Sequence, residues 1–362
     1  MIKHKCLLAL ILSLVIAQGY TQCLAPFTDL YNNAYVFDDG QSHLVEGLPL
    51  KTMQVGKNGM MYTTQNGAFK FFYEGQVYPI PDVTTDFFVT RYNFVYRNVN
   101  TIRTFYDRQF LTLETSFLEG TDSLYVSDSL IVWTNRYNEL NVFHDGLKTR
   151  LELFEISKAR IGENTFAYMD RNGNFKAFWH DSLYTLEVYE PTVFLCNKDM
   201  VMYVDQFGNY KFFYNGKIFD TSENYVNNFY LGRSFLCYIN NLRQLTVYYD
   251  GEIITLLTDI PKKLLVKENL IVWSDKGNNT WCFYKGKTYW LERYIPDDWQ
   301  ADRDILVYRD INGRLAGFYK GEQLMISDQM VSKYNLYYET VTYKLQPYQN
   351  QVWCNKKTYV FQ

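Results

Sequence analysis

Short runs of four to six residues, alternating apolar and polar and rich in Tyr, Phe, Val and Thr, follow one another along the chain. Alternation with a period of two predicts strands that bury one face. The stretch NYKFFYNGKIFDT (209–221) reads as a hairpin: two such runs meet at an Asn-Gly pair, a sequence suited to a tight turn with positive φ. Further strands are expected at PTVFLCN (191–197), NNFYLG (227–232) and KLLVKEN (263–269), and no helix of useful length is expected anywhere.

The pattern repeats. With the glycine of the FYKG turn as anchor, equivalent positions are Gly40, Gly75, Arg108, Gly146, Asp181, Gly216, Gly251, Gly286, Gly321 and Lys356, spaced by 35 residues except for one interval of 33 and one of 38. Three positions before every anchor stands an aromatic, from Phe37 and Phe72 to Phe318 and Trp353. A second aromatic column lies thirteen positions before the anchor, from Phe27 and Tyr62 to Tyr308 and Tyr343. In the third unit Tyr96 falls one place later, as a turn one residue shorter would require. Between the columns lie turns rich in Asp, Asn and Gly, such as DRNG (170–173), DQFG (205–208) and DING (310–313). Arg108 and Lys356 suit positive φ less well than glycine, so those two turns are expected to differ.

A 35-residue unit therefore holds about four short antiparallel strands. Each small sheet has two faces to cover, and stacking the sheets around an axis covers both. Tyr73, Tyr214, Tyr249, Tyr284 and Tyr319 follow the first aromatic column by one residue and so point to the opposite face. The expected fold is all-β, a β-propeller of about nine or ten small four-stranded blades. The first unit lacks its leading strand, which would leave a three-stranded blade at ring closure. An open β-solenoid and two smaller propellers in series are the alternatives. The one seam is the insertion FLEGTDSL (117–124).

The first residues change the picture. Lys3 and Lys5 precede an apolar run from Cys6 to Ala17, with small residues at Ala17 and Gly19, as in a secretory signal. Residues 1–19 are expected to be the signal peptide and 20–362 one β-repeat domain. Export without a transmembrane helix follows, to the periplasm, an outer-membrane-associated site or the outside of the cell. Cys23 raises an acylated anchor as an alternative, against which Gln22 before it is not small. Without residues 1–19 the chain carries 34 Lys and Arg against 39 Asp and Glu, which speaks against nucleic acid. Five cysteines then remain, Cys23, Cys196, Cys237, Cys282 and Cys354. This odd, sparse set reads mostly as small buried apolar residues rather than a disulfide framework.

Candidate chemistry is thin. His144 and His180 fall in adjacent units near the anchor, but ligand spacing for a metal is missing. The sequence carries no G-x-S-x-G, P-loop, H-E-x-x-H or C-x-x-C, and the Asp-rich turns lack calcium-loop spacing. No catalytic residue, metal site or cofactor is expected, and the enzyme question stays open, leaning to no. Carboxylates brought together at the axis from distant blades would be the exception. Non-column tryptophans, Trp179, Trp281, Trp290 and Trp299, are candidates for stacking on sugars. The residue before each anchor is acidic in the first four units, Asp39, Glu74, Asp107 and Asp145, and basic at Lys285 and Lys320. Those four acids form a candidate binding rim able to orient a partner by charge.

The short aromatic-glycine unit resembles WG/KWG-type β-repeats and other propeller-like repeats of bacterial envelope proteins, though it has no regular Trp-Gly pair. The resemblance spans the rhythm of the chain and implies an architecture without catalytic residues. The expected function is a non-catalytic exported binding or scaffold module of the bacterial cell envelope, its expected partner another envelope protein, with a glycan as the alternative. A carbohydrate-binding module is the alternative, and a glycan-active enzyme with axial carboxylates comes behind it.

Overall fold

The computed structural model describes residues 22–82, 84, 86–117, 123–224, 227–345 and 349–361. The expected signal segment 1–19 and most of the insertion at 117–124 lie outside them. The described residues form only strands and turns. Blade 1 has three strands, β1 (Leu24–Thr28), β2 (Ala34–Asp38) and β3 (Gln41–Glu46). Seven antiparallel four-stranded sheets follow, over residues 52–80, 86–114, 124–152, 157–187, 193–224, 227–257 and 263–292. Blades 9 and 10 share one 16-residue strand, Glu322–Tyr337, whose first part is the outer strand of blade 9 and whose last part opens blade 10. The described residues thus form ten blades, nine with four strands.

Each aromatic column does one job. Tyr62, Tyr96, Trp133, Tyr168, Tyr203, Tyr238, Trp273, Tyr308 and Tyr343 are buried on second strands, and most of the column three before the anchor is buried on third strands. Successive clusters join one blade to the next, as where Phe175 meets Phe194 and Tyr203 at 4.8 and 5.3 Å. Every anchor and the residue before it have positive φ, which makes all ten third-to-outer turns two-residue turns of the kind that matches strand twist. Arg108 (φ 61°) and Lys356 (φ 62°) adopt it too, so these two turns do not differ as expected. The flanking strands fix the register, and the hairpin imposes the conformation despite a residue that disfavours it.

The ring closes between blade 10 and blade 1. Phe27 and Phe37 pack on Phe361 and Tyr359, and the Asn350 amide donates to the Thr28 carbonyl at 2.9 Å. A disulfide joins Cys23 to Cys354. That corrects the expectation for these two cysteines. It also removes the thiol that acylation of Cys23 would use. Cys237 and Cys282 are buried thiols and Cys196 a half-buried one, as expected of apolar fillers.

Candidate functional site: the axis and the two turn faces

An antiparallel four-stranded blade places its inner-to-second and third-to-outer turns at one end, and its second-to-third turns and blade linkers at the other. The ring therefore has two faces. At the centre of the first face, the inner-to-second turns present Lys57, Arg91, Asp128, Glu163, Lys198, Arg233, Glu268, Arg303 and Tyr338, one from each blade with an inner strand. Their backbones are laced from blade to blade. The Lys57 amide donates to the Arg91 carbonyl (2.8 Å), Arg91 N–H to Asp128 (2.9 Å), and Arg233 N–H to the Glu268 carbonyl (2.9 Å). Tyr338 of blade 10 donates to the Val55 carbonyl of blade 2 at 3.0 Å, joining these two blades at the axis.

Side chains then cross the axis. Arg303 of blade 9 donates to Asp128 of blade 4 (2.8 Å) and lies 3.1 Å from Glu163 of blade 5, which also takes Arg233 of blade 7 at 3.1 Å. Arg91 of blade 3 bonds Asp302 of blade 9, approaches Glu339 of blade 10 at 3.7 Å and lies over the Tyr338 ring at 4.6 Å. Long guanidinium side chains bridge the gap that a ring this wide leaves, and their planar forks serve several carboxylates at once. Burial raises the pKa of Asp302 against the pull of Arg91, and burial followed by the charge of Asp302 raises that of Glu268. Carboxylates do converge on the axis. Asp128, Glu163 and Asp302 are each engaged by a guanidinium that gives up no proton near neutrality, and these pairs tie blades 3, 4, 5, 7 and 9 across the axis.

A second polar system staples neighbouring blades. A bulge in the third-to-outer pairing places Glu46, Glu114, Glu152, Glu187 and Glu292, six positions after their anchors, at the end of the outer strand. Glu152 accepts from Tyr168 (2.8 Å) and Lys176 (2.7 Å) of the next blade, Glu187 from Tyr203 (3.1 Å) and Lys211 (2.9 Å), and Glu114 from the Trp133 indole (3.1 Å). In the turns, Asp170 and Asp205 accept backbone N–H groups two and four residues on, which is turn chemistry and not a calcium loop.

Burial raises the pKa of Glu114, Asp170 and Asp205. Their hydrogen bonds, from Ser116 and Trp133, from Asn174 and Lys176, and from Asn209 and Lys211, outweigh it and hold each at about 2. The ordinary values are 4.5 for Glu and 3.8 for Asp. Stability from these depressed groups is complete above pH 4.5 and is lost as pH falls through about 2. Asp302 and Glu268, with raised values, act in the opposite sense and gain on acidification. The melting temperature is expected to fall between pH 4.5 and 2, and Glu114→Gln to flatten that limb. A wild-type melting temperature level across this window contradicts the assignment.

The four predicted rim acids all sit in third-to-outer turns on the first face. Asp39 accepts the Cys23 amide (2.9 Å), Glu74 pairs with Arg108 of blade 3 (3.0 Å), Asp145 accepts from Tyr106 (3.3 Å), and Asp107 is exposed. They follow one another from blade to blade and do not converge on a cavity. His144 meets Asp181 at 2.8 Å and His180 lies 3.9 Å from Asp199, in separate pairs. Among the described residues no group of three or more His, Cys, Asp or Glu could hold a metal. Of the four tryptophans, Trp281 and Trp290 stand opposite each other in blade 8: Trp281 donates to Asp275 and Trp290 lies exposed on the outer strand, while Trp179 donates to Asp199 and Lys263 covers Trp299.

The second face is different, and the sequence reading missed it. In blades 1, 3, 4, 6, 7 and 9 the second-to-third turn carries an exposed apolar tip, Tyr31 (84% exposed), Val99, Tyr137, Phe207 (75%), Leu242 and Ile311 (77%), and the linkers add Phe154 and Val188. Tyr31, Tyr137, Phe207 and Leu242 stand nine positions before their anchors and Ile311 ten, but the same column holds Asn or Gly in blades 2, 5, 8 and 9, so it reads as a turn position. Between Tyr137, Phe154 and Arg171 lies an open cleft of about 420 Å³.

The sequence matches the model of the 10-bladed beta propeller domain over residues 18–359. No curated protein matches it. Among solved structures it is similar to the computationally designed Ika8 protein, with 14% identity over 75% of this chain and 96% of that one and a TM-score of 0.33. It is similar to Prp20p from Saccharomyces cerevisiae, with 8% identity over 64% and 82% and a TM-score of 0.34. A third likeness is PorZ of Porphyromonas gingivalis, with 8% identity over 94% and 60% and a TM-score of 0.28. At such scores these likenesses bear no weight.

Proposed function

The chain belongs to the 10-bladed beta propeller domain family, and from that premise we propose that it is a non-catalytic scaffold that docks a protein partner on its apolar turn face. Propellers commonly serve as protein-interaction scaffolds, and the observation that carries the reading here is the crown of exposed tips. Large apolar side chains gathered on one face of a ring, with polar turns on the other, mark a surface that gains by being covered. The acids Asp39, Glu74, Asp107 and Asp145 on the opposite rim are proposed to orient the partner's approach through charge.

Export to the bacterial cell envelope belongs to the same proposal, with residues 1–19 as signal and 20–362 as one domain. Support comes from the basic and apolar start of the chain, from the resemblance to WG/KWG-type repeats, and from a disulfide that persists in oxidising compartments.

The test is cross-linked capture from the native envelope with wild type and with Tyr137→Ser/Phe207→Ser/Ile311→Ser. One stoichiometric protein is expected with wild type, at least about tenfold less with the triple variant, and equal melting temperatures. Charge reversal at the four rim acids is expected to slow association and weaken its salt dependence. Equal capture by the triple variant sinks the apolar-face reading. Glycan binding with no protein retained would favour the carbohydrate-binding module.

A further inference from the structure

The second-to-third turns consume their own carboxylates. Asp29, Asp170, Asp205 and Asp310 each open a turn and accept the N–H groups two and four residues on. Asp275 accepts the Asn279 N–H and the Trp281 indole. Such bonds draw the carboxylate in against the backbone, and Asp170 and Asp205 are buried. The charge that the tips offer to solvent is then that of Arg136, Arg171, Arg243 and Lys276, with no carboxylate among the described residues of the tips. Lys276 is paired with Asp259. The three arginines are exposed, and none has an ion-pair partner among the described residues. In a chain that is acidic overall, these turn tips are basic.

Two of the arginines border the open cleft between blades 4 and 5. Arg171 lies over the Phe154 ring at 5.0 Å, and Arg136 over the Tyr137 ring at 4.8 Å. Both rings line the cleft, with Leu153 and Ile156 beside them. A guanidinium stacked on a ring keeps its N–H groups pointing outward in its own plane, a fork that fits a carboxylate. Arg136 spends one of them on the Tyr137 hydroxyl. Of the acids in the lining, Asp170 is held by its turn and by Lys176, which leaves Glu155 to face two guanidiniums.

We propose that the partner docked on this face presents an apolar side chain flanked by carboxylates, the side chain seated in the cleft between blades 4 and 5 and the carboxylates on Arg136 and Arg171. This rests on the reading of the face as a protein-docking surface and names the chemistry of what docks there. The seated side chain displaces water from beside the arginines, which strengthens their charge-assisted bonds and selects acid over base at this spot. An anionic bilayer also favours basic and apolar groups, but its flat surface leaves a cleft of about 420 Å³ unfilled.

The probe is a fluorescein-labelled heptapeptide with a central Phe and Asp at every other position, titrated into the full chain. The same peptide with Lys for Asp is the control. Saturable binding of the acidic peptide is expected, falling as salt rises, with none of the basic one. Arg136→Glu/Arg171→Glu should weaken it at least about tenfold; both residues are exposed, so the melting temperature should hold. Glu155→Gln should tighten it, since that change removes the one opposing charge. Absence of saturable binding, equal affinity for the two peptides, or no effect of the double variant overturns the proposal. So does binding of phosphatidylglycerol vesicles by the chain with none of the peptide. Cross-linked capture that survives Arg136→Glu/Arg171→Glu but is lost in the Tyr137/Phe207/Ile311 variant overturns the acidic partner and leaves the apolar-face reading standing, so the two failures are told apart.

Discussion

Replacing Cys23 and Cys354 by serine is expected to lower the unfolding free energy by about 3–5 kcal/mol. The bridge spans 331 residues of sequence, and a cross-link over a loop this long restricts the unfolded chain strongly. It also secures the closure where ring cohesion is thinnest. Among the described residues blade 1 brings three strands instead of four, and at the axis blade 10 bonds blade 2. A melting temperature lower by about 5–10 °C is expected, and the same drop in wild type under reductant. Limited proteolysis of the reduced protein should cut first within residues 22–46. A melting temperature unmoved by reductant would mean that the aromatic contacts of Phe27 and Phe37 close the ring alone.

Arg91→Ala is the second large effect. The Arg91 side chain is 2% exposed and faces Asp128, Asp302 and Glu339 from three other blades. Truncating one partner of a buried charge cluster leaves the others uncompensated, at a cost of about 3–5 kcal/mol. Arg91→Lys is expected to recover little, because one ammonium lacks the fork that reaches several carboxylates. Asp302 should then titrate higher still in Arg91→Ala, since the guanidinium that opposes its burial is gone. Urea midpoints for the two variants check this. Values within about 1 kcal/mol of wild type would show that water enters the axis and screens the cluster.

Most of the fold was legible because its determinants recur. The aromatic columns at Phe37 and Phe27 and their equivalents recur with a visible period, each performs the same packing task in every blade, and the tight third-to-outer turn fixes the phase between them. The axial cluster also stood in the sequence as a column, eighteen positions before the anchor from Lys57 to Tyr338 and seventeen in blade 3 at Arg91. Its meaning was hidden, since the pairing of Arg91 with Asp302 joins residues 211 apart and exists only once the ring has closed. The staple carboxylates were readable in five units, Glu46, Glu114, Glu152, Glu187 and Glu292, but a lone Glu at the end of a strand looks like an ordinary solvated residue until the bulge aims it at the next blade.

The Cys23–Cys354 bridge was illegible for the same reason as the axial pairs: nothing local distinguishes these two from Cys196, Cys237 and Cys282. The four acids of the expected rim lie in third-to-outer turns. They are partly engaged with neighbours such as Arg108 and Tyr106, a consequence of turns that follow one another closely around the ring. The apolar crown was legible in part: Tyr31, Tyr137, Phe207 and Leu242 share the place nine before the anchor, but Asn66, Asn172, Gly277 and Asn312 fill it in other units, so it looks like an ordinary turn position until the ring gathers the tips on one face.

The central claim is that the ring presents this face to a protein partner. Hydrogen–deuterium exchange of the chain alone and with its captured partner addresses it most directly. The account predicts protection concentrated in the second-to-third turns, at residues 135–139, 205–209 and 310–314, with the third-to-outer turns unchanged apart from those at the acidic rim. Protection confined to the axial mouth around Arg91 and Arg303, with the apolar turns exchanging as freely as before, would contradict it.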